Sequence, residues 1–210
     1  MERSRSAVQA VVFDIGGVLS APEGAVPQVA EALGLPVDAV GPAYWGPREA
    51  YDRGGALADY WRAVGEALGL DLVGARAAEL DDLDARRWGA LAPRSADLLA
   101  EVSQVAARGA VRLAVLSNAP ASLAGVVRAS EWSEPFEALL FSAELRAAKP
   151  GPAVYAAVEQ ALDLPGDQLA FFDDRPVNVE AARARGWRAH LWTGADEARA
   201  QLVRLGVLDG

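Results

Sequence analysis

The sequence predicts an α/β protein: a parallel sheet with helices on both faces, interrupted after its first strand by an all-helical insert. Three observations predict it. Apolar runs of strand length alternate with long Ala-rich amphipathic stretches of helix length. Prolines stand where those helical stretches begin, and glycines follow where they end. Between Phe13 and the helix expected from residue 94 lies a long segment with helical periodicity and no convincing strand.

Residues 8–13 (Val-Gln-Ala-Val-Val-Phe) read as a buried first strand, and residues 111–116 (Val-Arg-Leu-Ala-Val-Leu) as a second. Shorter strands are expected at 138–141, 168–172 and 188–192. Helices are expected at 94–108, 120–130, 151–162 and 176–185. Pro93, Pro120, Pro152 and Pro176 fall at their starts, where a missing N–H is tolerated. Gly109 and Gly186 follow helix ends, the usual place for a left-handed cap. This alternation implies a parallel sheet covered on both faces. The insert shows helical patterns at 26–34, 46–52, 56–69 and 72–90, punctuated by Gly24, Pro36, Gly41, Pro42, Gly54 and Gly55. The expected division is a core of residues 1–20 and 93–210 with a helical cap at 21–92. A last surface helix is expected from Asp196-Glu197, whose acids suit a helix N-terminus.

A chain of 210 residues can bury one core and a smaller insert. Its 52% hydrophobic and 23% charged content is that of an ordinary folded protein. No apolar run approaches a membrane span. Residues 1–13 lead straight into Asp14-Ile15-Gly16-Gly17, which is unlike a cleavage site, so the apolar stretch reads as a strand rather than a signal peptide. The absence of cysteine excludes disulfides and thiolate metal sites and fits a cytoplasmic address. A net charge of −9 argues against nucleic acid as a partner.

In an open parallel sheet, ligands bind beyond the carboxyl ends of the strands. Asp14-Ile15-Gly16-Gly17 follows the first strand, Ser117-Asn118 the second, and Asp173-Asp174 the fourth. Lys149 lies in the loop after the third. It is the chain's one lysine among 20 basic residues, and a compact ammonium suits close approach to phosphate or carboxylate. Each piece alone has a bland reading. An Asp after a strand is often a turn former, and Ser117-Asn118 would cap the helix opening at Pro120. Adjacent carboxylates such as Asp173-Asp174 repel and favour a cation between them. Together the groups are tools for handling a metal and an anion.

The order Phe13-Asp14-Ile15-Gly16-Gly17-Val18-Leu19, Leu116-Ser117-Asn118, Ala148-Lys149-Pro150 and Phe171-Phe172-Asp173-Asp174-Arg175-Pro176-Val177-Asn178 resembles the four motifs of the haloacid dehalogenase superfamily. The resemblance covers nearly the whole chain and implies a Rossmann-like core. The insert matches that superfamily's helical cap, and Tyr51-Asp52-Arg53-Gly54-Gly55 with Tyr60-Trp61 is similar to the cap's helix–turn–helix. The resemblance implies a hydrolase of small phosphorylated metabolites, sugar phosphates among them. Asp14 would be the nucleophile forming an aspartyl-phosphate. Mg²⁺ would be held by Asp174 directly, by Asp173 through water, and by the Asp14 carboxylate and Gly16 carbonyl. Ser117, backbone amides near Asn118, and Lys149 would hold the phosphoryl oxygens.

One position departs from the pattern. Most phosphatases of the superfamily carry a second Asp two residues after the nucleophile, where this chain has Gly16. General acid–base catalysis contributes about 10²–10⁴-fold, so slow turnover of poor leaving groups is expected. Some sugar-phosphate phosphatases of the superfamily do read Asp-x-Gly there. A catalytically weak, ligand-binding protein is a second reading. The third is a metal-free haloacid dehalogenase, against which two unneutralised carboxylates at 173 and 174 argue. His190, inside the last strand, reads as structural. Trp45, Trp61 and Trp88 read as cap core, although Tyr44, Trp45 and Arg48 could face a substrate. Arg175 beside the aspartate pair reads as a residue that orients the loop.

Overall fold

The strands β1 (Ala10–Phe13), β2 (Arg112–Ser117), β3 (Ala138–Phe141), β4 (Leu169–Asp173) and β5 (Arg188–Leu191) are all parallel and form one sheet in the order β3-β2-β1-β4-β5. The structure is a computed structural model that describes residues 7–21 and 24–210. The sequence reading of residues 1–6 therefore lies outside the described residues. The strand register sets the site: Phe13 pairs with Val115 on one side and Phe172 on the other. Asp14 thus falls level with Asp173, and its backbone N–H bonds the Phe172 carbonyl at 3.0 Å.

Alternate β1 residues bury opposite faces. Val11 and Phe13 join one apolar cluster, Ala10 and Val12 the other. Both faces are thus covered, as all-parallel sheets require. One cover is α9 (Pro152–Leu162) and α10 (Pro176–Ala184), which bring Val154, Tyr155, Val158, Leu162, Val179 and Ala182 to the second cluster. The other is α6 (Pro93–Ala107), α7 (Ala121–Arg128) and α11 (Ala195–Arg204). Pro93, Pro152 and Pro176 occupy first-turn positions and Pro120 is the N-cap of α7, as the sequence implied. Gly109 and Gly186 have φ of +73° and +89° just after helices, the conformation that favours glycine.

Between β1 and β2 the chain is helical: α1 (Val26–Leu33), α2 (Val37–Trp45), α3 (Arg48–Asp52), α4 (Leu57–Leu68), α5 (Gly74–Gly89) and α6. A short helix, α8 (Ser142–Leu145), follows β3. The sequence reading missed α2, because Gly41 and Pro42 look like breakers. Proline removes one helical hydrogen bond. Here Val40, Ala43 and Tyr44 are buried and α2 packs on α1 and α4, so tertiary burial overrides local propensity. No helix among the described residues is long and apolar enough to cross a membrane.

Candidate active site

The carboxyl ends of β1, β2 and β4 converge on one cavity of about 530 Å³, roofed by the helical insert. Asp14, Gly16, Ser117, Asn118, Lys149 and Asp174 line it, as do Arg48, Asp52, Trp45 and Trp88 from the insert. Every sequence-predicted site residue except the fully buried Asp173 borders it.

Asp14 follows β1 at a sharp turn. Its Oδ1 accepts from the Ile15 N–H at 2.7 Å, and its Oδ2 lies 2.8 Å from Lys149 Nζ. Burial pushes the Asp14 carboxyl above its ordinary pKa. Lys149 opposes this, the nearby Asp173 charge adds to it, and a hydrogen bond from Ser117 stabilises the anion.

Lys149 is 3% exposed, and its ammonium reaches three acceptors: Asp14, Asp173 Oδ2 at 2.7 Å and the Leu116 carbonyl at 2.9 Å. Burial alone would lower its pKa; the Asp14 and Asp173 carboxylates outweigh that and raise it. The compact, three-donor geometry suits lysine where a planar guanidinium would not fit.

Asp173 is fully buried and closes β4. It accepts from Arg175 N–H at 2.9 Å, from Asn178 Nδ2 at 2.9 and 3.1 Å, and from Lys149. Asn118 exchanges two bonds with the Lys149 backbone: its Nδ2 donates to the carbonyl at 3.0 Å and its Oδ1 accepts from the amide at 2.8 Å. The side chain therefore ties the β2 loop to the Lys149 loop. The next amide, Ala119 N–H, is taken by Ser142 Oγ at 2.9 Å.

Asp174 is exposed, and burial of its carboxyl face together with the Asp173 charge raises its pKa. Oxygens of Asp14, Asp173 and Asp174 all lie within 4.8 Å of one another, a set that could hold a metal ion. Gly17 makes room for it. With φ at +69°, a Cβ there would stand 2.7 Å from Asp174 Oδ2. Asn178 Oδ1, also on the cavity wall, is buried with no hydrogen-bond partner. An oxygen-only donor set beside an unsatisfied amide oxygen fits a hard, partly hydrated cation.

Gly16 has an ordinary φ of −60°. A Cβ there would meet Trp88 ring carbons at 3.4 and 3.8 Å. Trp88 Nε1 donates to Tyr44 Oη at 2.8 Å, so the ring presents hydrocarbon to Gly16 and its polar edge to the insert.

The insert holds a second polar cluster. Arg48 is 5% exposed, its Nε bonds Asp52 Oδ1 at 2.8 Å, and its Nη1 bonds Asp84 Oδ2 at 3.0 Å and the Tyr44 hydroxyl. Tyr44 in turn donates to Asp84. Asp81 accepts from Tyr51 Oη at 2.6 Å and Trp61 Nε1 at 3.1 Å. Of the residues singled out in the insert, Trp45 is 52% exposed and lines the cavity with Arg48, whereas Tyr44 and Trp61 are buried. Sequence reading missed Glu49, Asp52, Arg53 and Asn178 as lining residues. Asp52 does sit in the stretch that resembles the cap's helix–turn–helix. His190 stacks on Phe172 with ring centroids 5.4 Å apart, and burial lowers its pKa. It does not line this cavity.

Residues 8–186 match the model of the haloacid dehalogenase-like hydrolases. Phosphatase MT3486 of Mycobacterium tuberculosis is 29% identical over 219 residues, spanning 97% of this chain and 98% of that protein. Among solved structures, a HAD family enzyme of Bacteroides thetaiotaomicron in complex with magnesium and inorganic phosphate aligns with a TM-score of 0.69 at 18% identity, over 90% of this chain and 96% of that one. A dehalogenase aligns with a TM-score of 0.68 at 21% identity, over 96% and 99%. At such identities the structural likeness speaks for the fold. The family model spans most of the chain and contains every site residue described above, so the protein belongs to the haloacid dehalogenase-like hydrolases.

Proposed function

We propose that this hydrolase is a Mg²⁺-dependent phosphatase of small phosphate monoesters, sugar phosphates among them, working in the cytoplasm through an aspartyl-phosphate. The observation that carries this reading is the cluster of one ammonium and three carboxylates at the strand ends, opening into a single cavity. The phosphatase relative and the magnesium–phosphate complex of the Bacteroides protein accord with it. We take residues 1–20 and 93–210 as the core and 21–92 as the cap. The cavity volume suits a small metabolite.

In this reading Asp14 is the nucleophile. Its Oδ1 is fixed by the Ile15 amide, which leaves Oδ2 beside Lys149 to attack phosphorus. Ser117 and Lys149 bind the equatorial oxygens, where negative charge concentrates in the transition state, Lys149 exchanging its Asp14 contact for a phosphoryl oxygen. Asn118 holds those two loops in register. Mg²⁺ would be held by Asp14, Asp174 and the Gly16 carbonyl, and when bound it neutralises the repulsion between a carboxylate nucleophile and an anionic ester. The Asp173 oxygens already accept from four donor contacts, so its part is to orient Lys149, with any link to the metal passing through water.

The test is phosphate release from a panel of small phosphate esters with and without Mg²⁺, beside halide release from 2-haloacids. Phosphate release that needs the metal supports the reading. Silence on every ester together with measurable ligand binding would make the protein a binding module, and metal-free halide release would make it a dehalogenase.

A further inference from the structure

The leaving group of a phosphate ester needs a proton, and residue 16 has no side chain to give one. Nor does the space above Gly16 supply one, since the hydrocarbon edge of Trp88 fills it. Some other group on the cavity wall must serve, and few groups there can. Among its lining residues the carboxyl groups are Asp14, Asp174, Glu49 and Asp52, and none is histidine or tyrosine. Asp14 is the proposed nucleophile and Asp174 a proposed metal ligand. Lys149 is locked between two carboxylates. The Glu49 side chain is 80% exposed and spends its contacts on Arg53. Asp52 remains, with a side chain 17% exposed, on the cap wall and held by Arg48 at 2.8 Å.

The charge count around Asp52 favours a mobile proton. Arg48 is one buried guanidinium facing two carboxylates, Asp52 and the wholly buried Asp84. Asp84 also accepts from Tyr44 and so holds its charge in place. With both acids ionised the pair carries one negative charge more than Arg48 can offset, in a site largely shielded from water. The carboxylate nearer the cavity is the one that can take a proton at least cost. The charged and titratable groups around it are Arg48 and Glu49 from α3, Tyr60 from α4 and Asp84 from α5. Lys149 and Asp14 border the same cavity. Burial pushes the Asp52 carboxyl up to about 6, with Arg48 opposing. A donor poised near the working pH is what acid–base catalysis needs.

We infer that Asp52 is the acid–base residue of the reaction, a cap residue doing the work of the carboxylate absent at position 16. The assignment rests on the phosphatase reading above. As an Asp14 oxygen bonds to phosphorus, the P–O bond to the leaving group breaks and that oxygen takes the Asp52 proton. A water oxygen then bonds to phosphorus and gives its proton to the Asp52 carboxylate. The bond from Asp14 to phosphorus breaks, inorganic phosphate leaves, Asp14 is again a carboxylate and Asp52 again holds its proton.

The experiment compares an alkyl phosphate, whose leaving group needs the proton, with an aryl phosphate, whose leaving group needs it little. The readout is kcat/KM, which reports the step that expels the leaving group. In Asp52→Asn the Arg48 contact is kept by the amide oxygen. The alkyl value should fall about 10²-fold or more and the aryl value much less, so that the alkyl-to-aryl ratio drops at least about tenfold. In the parent enzyme that ratio should fall as pH rises through about 6, because the acid must be protonated; this needs no variant and so survives a misfolded one. Equal losses on both esters with a flat parental ratio would overturn the assignment while sparing the phosphatase reading. A parent that releases phosphate from neither ester overturns both.

Discussion

Two polar clusters border one cavity, one from the strand ends and one from the helical insert, and they handle charge in different ways. On the core wall Lys149 sits between Asp14 and Asp173, and the third carboxylate, Asp174, faces outward. That cluster brings three carboxylates close enough together to hold a metal ion. On the cap wall Arg48, Asp84 and Tyr44 satisfy one another almost completely, and of that cluster only Arg48 and Asp52 border the cavity. In the reading proposed above the core cluster serves the chemistry. The cap cluster is built into the fold, and its removal should cost stability.

The sharpest way to break that contrast is at Asp14. Asp14→Asn should lower turnover by on the order of 10⁶-fold, as removal of a nucleophile does elsewhere, with a denaturation midpoint near the parent's. A variant that turns over aryl phosphate at the parental rate would show that the nucleophile lies elsewhere. On the cap wall, Arg48→Met leaves Asp84 buried without its cation and should cost about 3–5 kcal/mol in chemical denaturation. Pairing it with Asp84→Leu should recover most of that loss, since an apolar pair can replace a buried ion pair with little penalty. If the double variant is no more stable than the single one, the two residues are not coupled.

The adjacent glycines allow a smaller test. Gly17→Ala forces a side chain into φ +69° and against Asp174, and should cost about 1–3 kcal/mol along with weaker Mg²⁺ binding by calorimetry. Gly16→Ala, with φ −60° and a nearest contact of 3.4 Å, should cost less than about 1 kcal/mol. Gly16→Asp should raise alkyl-ester hydrolysis about 10-fold in an Asp52→Asn background and far less in the parent. Its side chain must displace the Trp88 edge to work. The smallest expected effect on turnover is that of Trp45→Ala. Half-exposed but edge-on to Tyr44 and Trp88, this residue should contribute about 1 kcal/mol of stability. The substitution should raise KM more than it lowers kcat, because the ring borders the cavity.

How much of this could be read from the chain differs between the walls. Strand ends announce themselves: an apolar run of period suited to a doubly buried strand stops at Phe13, Leu116 or Phe172, and the next residues are polar. The parallel register then brings Asp14, Ser117 and Asp173 to one edge. Boundaries moved by a residue, so that Ser117 and Asp173 close their strands rather than follow them. In the cap the same logic had nothing to hold. Asp52, Asp81 and Asp84 look like the solvated acids of amphipathic helices, and α2 was hidden by Gly41 and Pro42. The burial of Asp81 and Asp84 follows from how α2, α4 and α5 pack together.

The sequence by itself determined the fold class, the order of the strands' polar ends and the lone lysine among them, because period and chain order are local properties. Only the tertiary structure decided which carboxylates share Lys149 and which share Arg48, that Asn118 ties two loops, and that Trp88 stands over Gly16. The physical reason is that a charged group's surroundings are set by residues distant in sequence. Asp84 lies 36 positions from its cation, and neither helix's own pattern could have paired them.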